Sequence, residues 1–121
     1  MEVPKIFESE YRFCKIMWEN EPVKSGDLVR LCSELLGWKP TTTYTVIKRL
    51  SERGVLVNEN SVVRALVKED AVRTAEIDEL LEKKFEGSLP AFIAAFARNR
   101  RMSDKDIDEV QKLIESMREK K

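Results

Sequence analysis

A chain of 121 residues, 42% hydrophobic and 36% charged, is one domain or a domain with a small appendage, with a modest core. Its 22 basic and 22 acidic residues cancel to a formal net charge of zero, which argues against indiscriminate coating of nucleic acid but leaves room for cations gathered on one face. Histidine is absent, no Cys-x-x-Cys spacing occurs and no apolar run approaches a membrane span, so the composition predicts a cytoplasmic protein with no metal, cofactor or membrane insertion.

The first helix is predicted from Ser9 to about Asn20, with Ser9 as N-cap, Glu10 in the first turn and Phe13, Ile16, Met17 and Asn20 on one face. Glu21-Pro22-Val23 ends it. Ser25 is read as the cap of a second helix, with Asp27 near its positive end and Leu28, Leu31, Cys32, Leu35 and Leu36 as the buried stripe. Gly37 supplies the stop, and Trp38 is expected to lie under the next helix rather than to stack on a base. Cys14 and Cys32 sit among apolar neighbours and read as reduced, buried thiols, with a redox pair as the alternative.

The third helix carries the most information. Pro40 suits a first helical turn and Gly54 a C-terminal stop, and Val46, Ile47 and Leu50 form an apolar stripe between them. The opposite face holds Thr41, Thr42, Tyr44, Thr45, Lys48 and Arg49. A solvated helix normally places Glu and Lys there in i,i+4 pairs. Hydroxyls, a phenol and cations suit base edges and phosphates instead, so this is read as a recognition helix. From Lys39 to Arg53 there are four cations and only Glu52 against them, while acidic residues gather at Glu76, Asp78, Glu79, Glu82 and from Asp104 to Glu109. Charge is therefore expected to be segregated along the chain.

Two β-favouring runs follow, Val55-Leu56-Val57 and Val62 to Val67, joined by Asn58-Glu59-Asn60-Ser61. Three helices and a hairpin are the order of a winged helix-turn-helix, assigned to residues 1–70, with Arg64 as the cation near the wing tip. Residues 71–121 are read as a helical dimerisation domain. A helix is predicted from Asp70 to Glu86, stopped by Gly87, with a ridge of Val72, Ile77, Leu80, Leu81, Lys84 and Phe85. Ser88 caps a shorter helix through Arg98 that tolerates Pro90 in its first turn. Ser103 and Asp106 resemble a capping box for a last helix striped with Ile107, Val110, Leu113, Ile114 and Met117. Phe92, Ile93 and Phe96 make the middle helix apolar nearly all round. Helices so greasy bury themselves most economically against a second copy, through Leu80, Phe92, Ile93, Phe96, Ile107, Val110, Leu113 and Ile114. The alternative is that they fold back onto the winged domain. The fold class is mainly α.

Several of these segments resemble one family. Ser9-Glu10-Tyr11 leading to Ile16-Met17-Trp18, Trp38-Lys39-Pro40-Thr41-Thr42 leading to Val46-Ile47-Lys48-Arg49-Leu50, and then Gly54-Val55-Leu56 are similar to the penicillinase and methicillin-resistance repressors (the BlaI/MecI type). Lys84 to Leu89 and Met102 to Ile107 resemble that family's dimerisation region. The resemblance covers almost the whole chain, in order. It implies a dimeric winged-helix transcriptional repressor on operators of resistance or stress genes. It also implies a membrane sensor protease as partner, cutting before a phenylalanine that aligns with Phe96. The preceding residue in those members is asparagine, where this chain has Ala95.

The resemblance places Thr42 and Thr45 against bases, with Lys48 near a base or a phosphate. Thr41 and Tyr44 stand where members carry basic residues, which weights reading towards thymine methyls and single hydrogen bonds. Lys39, Arg49, Arg53 and Arg64 are assigned to the DNA backbone, with solvated charge as the alternative reading. The function expected is that of a homodimer on inverted-repeat double-stranded operator DNA, acting sterically. A winged-helix module that binds protein without reading DNA is the alternative, and a ligand-responsive regulator with a pocket beside the Phe-rich helix is a third. An enzyme is not expected: no Gly-rich phosphate loop follows a strand, and no Ser or Cys nucleophile has a basic partner.

Overall fold

Helix α1 (Glu8–Asn20) starts one residue before the predicted Ser9 cap, and its N-cap is Phe7. The reason is Glu10. Its carboxylate reaches back to accept the Phe7 N–H at 3.0 Å, satisfying one of the helix's orphan donors without a hydroxyl cap. That carboxylate is also buried, and Arg53 covers it with both guanidinium nitrogens. In the computed structural model residues 2–99 and 102–119 are described.

After α1 the chain turns through a cis Glu21-Pro22 peptide into a short strand β1 (Val23–Lys24), where the sequence suggests only a helix end. Helix α2 (Ser25–Leu36) follows directly, with Lys24 rather than Ser25 as its N-cap. Ser25 enters the helix because its N–H is taken by the Ser61 carbonyl at 2.8 Å. Leu28 and Cys32 are fully buried and Leu31 and Leu36 partly so, but Leu35 faces solvent. Gly37 adopts φ 70°, the left-handed stop that the sequence predicts.

Helix α3 (Pro40–Glu52) has Lys39 as N-cap and Pro40 in its first turn. Gly54, with φ 84°, lets the chain reverse into strand β2 (Leu56–Glu59). Strand β3 (Val62–Ala65) pairs with β2 antiparallel, Glu59 opposite Val62 and Leu56 opposite Ala65. The hairpin turn is only Asn60-Ser61, both at positive φ, not the four residues 58–61. This is the tight connection that matches strand twist. On its other edge β3 pairs with β1, Val23 opposite Val63, giving sheet order β1-β3-β2.

The core joins these elements. Phe13, Met17, Leu28, Leu50, Val55, Leu56 and Val63 are fully buried, and Val46 and Ile47 fill the inner face of α3 as expected. Helix α4 (Glu69–Phe85) contributes Val72 to the same core. Its first turn is held to α1: one Glu69 carboxylate oxygen accepts from Tyr11 Oη at 3.2 Å and pairs with Lys15 Nζ and Arg73 Nη2 at 3.4 and 2.9 Å. Nearby, Trp18 Nε1 donates to the Val67 carbonyl at 3.0 Å.

The chain divides into two compact units, 1–77 and 78–121, a division that falls inside α4. The second unit holds the end of α4, helix α5 (Leu89–Asn99) and helix α6 (Asp104–Glu119). Ser88 Oγ accepts the Ala91 N–H at 3.1 Å and Ser103 Oγ accepts the Asp106 N–H at 3.0 Å, the two caps predicted. Phe92 meets Phe85 edge-on at 5.5 Å and Phe96 at 6.4 Å. Basic and acidic residues balance within each unit separately. The expected segregation by halves is absent, because Lys83, Lys84 and the basic residues around α6 offset the acidic runs.

Burial works to raise the Glu10 carboxyl, but the Arg53 guanidinium, the Phe7 N–H and the Arg49 charge outweigh it and hold the group below its ordinary 4.5. A carboxyl lowered by folding adds stability that is complete above that ordinary value and is lost as pH falls through the lowered one. Arg53→Met should cost about 2–3 kcal/mol by thermal melts at pH 7, since it strands a buried carboxylate. Glu10→Gln should flatten the acid limb of the stability–pH curve.

Candidate nucleic-acid interface

Helix α3 presents two chemically distinct faces. Val46, Ile47, Leu50 and Thr43 point inward, while Thr41, Thr42, Tyr44, Thr45, Lys48 and Arg49 are all exposed. The predicted reading residues therefore lie together on one outward surface. Thr43 is a buried hydroxyl that the apolar stripe does not reveal, and its Oγ1 finds no well-formed hydrogen bond. Burial pushes the neighbouring Cys32 thiol up, with the Thr43 hydroxyl acting in the opposite sense.

The hydroxyls of the outer face are not equivalent. Thr45 Oγ1 donates to the Thr41 carbonyl one turn back, at 2.8 Å. Its proton is thereby committed within the helix, leaving a methyl group and oxygen lone pairs for anything outside. Thr41, Thr42, Thr45, Val46 and Arg49 border a shallow depression of about 280 Å³.

Ion pairing sorts the cations. Arg53, assigned to the DNA backbone from sequence, is held by Glu10, by the Lys5 carbonyl at 3.0 Å and by the Phe7 ring at 5.2 Å. The structure reassigns it to the fold. Arg64 lies on β3 opposite Val57 and approaches Glu59 at 3.7 Å on the adjoining strand, so its charge is partly answered. Lys39, Lys48 and Arg49 have no carboxylate within ion-pair distance among the described residues. Lys48 and Glu52 do not pair despite their i,i+4 spacing.

One candidate escapes the sequence reading altogether. Lys24 is exposed and without an ion-pair partner among the described residues. Its strand sets it opposite Val62, next to the wing turn. A two-residue strand has no periodicity to detect, so this cation reads as part of a loop until the sheet is seen.

Trp38 is half-buried and stacks parallel to Phe13 of α1 at 6.2 Å, where it is not available to a base. It packs against the core that α1 and α3 share, with its ring on the α1 side. Cys14 and Cys32 are free and fully buried. Burial, with the Glu10 charge nearby, pushes the Cys14 thiol up to about 12. A thiol so held is not a redox nucleophile at neutral pH.

In the second unit, Leu80, Ile93, Ile107, Val110, Leu113 and Ile114 are exposed, while Phe92 and Phe96 are half-buried. The α6 stripe has no buried residue. Between α5 and α6 lies an open groove of about 450 Å³ floored by Phe92, Ile93, Phe96 and Val110, with Asp106 and Glu109 at its rim. Among the described residues, no cluster of carboxylates or thiols could hold a metal and no helix is long and apolar enough to cross a membrane.

The sequence profile of the penicillinase repressor family matches residues 6–116. The chain belongs to the penicillinase repressor family. Members of that family are transcription regulators rather than enzymes. The penicillinase repressor of Bacillus licheniformis is 23% identical over 124 residues, covering 98% of this chain and 96% of that protein. That of Staphylococcus aureus is 21% identical over 120 residues, covering 96% and 95%. Among solved structures, the monomeric form of Bacillus licheniformis BlaI in complex with the blaP half-operator superposes with a TM-score of 0.50 at 23% identity. It covers 58% of this chain and 90% of that one. The likeness establishes the winged-helix fold of this family member.

The buried thiols predict that a disulfide-exchange reagent leaves Cys14 and Cys32 unmodified in the native protein at pH 7 and titrates both in denaturant. Rapid reaction without denaturant would show that the α1–α2 core opens.

Proposed function

We propose that this repressor binds inverted-repeat operator DNA as a homodimer and represses by occupying the promoter. The observation that carries the reading is the outer face of α3, where Lys39, Lys48 and Arg49 have no ion-pair partner among the described residues and stand beside exposed Thr41, Thr42, Tyr44 and Thr45. Charge left unpaired on one face of an otherwise balanced molecule suits a polyanion docked against that face. The two curated relatives named as penicillinase repressors, and the solved relative held on a half-operator, support the same reading.

Dimerisation is assigned to the second unit. Leu113, Ile114 and Met117 on α6 are more than half exposed, which is costly for a lone helix and is relieved when a second copy covers the stripe. A two-fold dimer presents two α3 helices to one face of a duplex, hence the inverted repeat. The chemistry required is binding alone, without cofactor, in the cytoplasm where the promoter lies. The Ala95–Phe96 bond belongs to helix α5. Cutting there by a sensor protease would require that helix to unwind first, and Ala95 in place of asparagine removes the side chain such a cut meets in better-known members.

A DNase footprint upstream of the protein's own gene tests the proposal, with two protected half-sites about one helical turn apart as the expected result. No protection, or binding that ignores salt, would favour a protein-interaction module. Removing one cation that neutralises a phosphate should lower the slope of log affinity against log salt by about 0.9. Lys24→Gln is expected to have this effect and Arg64→Gln is not. Ile93→Asp or Leu113→Asp should give monomers by gel filtration, with operator affinity reduced at least tenfold.

A further inference from the structure

We infer that the depression on α3 bordered by Thr41, Thr42, Thr45, Val46 and Arg49 is a seat for the C5-methyl group of a thymine, and that Thr45 reads that base through its methyl rather than its hydroxyl. The inference rests on the DNA reading proposed above and says which atom is recognised. Three features point to it. The depression is bordered by two rows of helical neighbours, 41, 45 and 49 in one and 42 and 46 in the other. These side chains carry hydrocarbon that a base could meet, chiefly the threonine methyls and the arginine stem, with Val46 itself nearly buried. The third feature is the bond from Thr45 Oγ1 to the Thr41 carbonyl at 2.8 Å, which removes the donor that a base acceptor would need.

At Thr45, whose donor is committed within the helix, the group left to discriminate is the methyl, which acts by shape and apolar contact. In the major groove the group that fits is the thymine methyl, which marks an A·T pair and its orientation. Arg49 walls the dish with its stem and keeps its guanidinium, which has no carboxylate partner among the described residues, for a phosphate alongside. Tyr44 and Lys48 stand outside this border and take no part in the methyl contact.

Three proteins and one family of duplexes decide the matter. The full-length wild type is used to select an operator duplex from a randomised pool, and each thymine is then replaced in turn by deoxyuridine. One symmetric pair of positions should lose about fourfold in affinity per half-site, the scale of one buried methyl group. Thr45→Val keeps the methyl and removes the hydroxyl, so it should stay sensitive to deoxyuridine at that position. Thr45→Ser removes the methyl, so it should bind the thymine duplex no better than the deoxyuridine duplex. A tenfold loss in Thr45→Val would show that the hydroxyl makes the contact and overturn the inference, as would undiminished sensitivity in Thr45→Ser. Failure to enrich any duplex would instead remove the DNA reading on which the inference stands, a result distinct from selection without deoxyuridine sensitivity.

Discussion

The Glu10–Arg53 pair ties the end of α3 to the start of α1. The last turn of α3, where Leu50 is fully buried, runs out beside the N-terminal segment, whose Ile6 belongs to the same core. Arg53 fastens it to the first turn of α1 through the buried carboxylate, and to the residues before α1 through the Lys5 carbonyl and the Phe7 ring. At the other end, Trp38 lies flat on Phe13 just before Pro40 starts the helix. The helix is thus held at both ends from α1 while Val46, Ile47 and Leu50 fill the space between. Its outward face can then be given over to polar groups without loss of position. A buried ion pair of this kind adds little net stability. Its contribution is to specify geometry, because only one placement of α3 answers the carboxylate.

How much of this could be read from the sequence depends on the range of each signal. Helical periodicity, Gly37, Gly54 and the hydroxyl caps Ser88 and Ser103 are local, and each marks its element. Ser9 and Ser25 mislead for a common reason: a distant or stronger partner serves the backbone group in question, Glu10 reaching back to Phe7 and the Ser61 carbonyl taking the Ser25 N–H. The role of Arg53 is invisible because its partner is 43 positions away, and among the basic residues of α3 it looks like another phosphate contact. Strand β1, and with it Lys24, escapes because two residues carry no period and the sheet exists only once β3 is in place. Thr43 shows the converse limit: its spacing to Val46, Ile47 and Leu50 puts it on the buried stripe, and only its polarity hides it from an apolar count.

The second unit was more legible in kind than in consequence. Its three helices can be predicted from their stripes, yet among the described residues no member of the α6 stripe is buried. Apolar spacing tells which side of a helix seeks burial. It does not tell what will provide it, and within the described residues Leu113 and Met117 remain in solvent.

The balance of charge within each unit bears on how such a repressor finds its target. A strongly cationic protein is held by any stretch of duplex, so most copies are sequestered on irrelevant sequence and travel by sliding. A reading unit with as many acidic as basic residues, and with half of its cations already in ion pairs, would dwell more briefly on random DNA. It would locate its operator chiefly by three-dimensional encounters. Occupancy would follow the free concentration of the protein closely, so that a small fall in copy number would empty the promoter quickly.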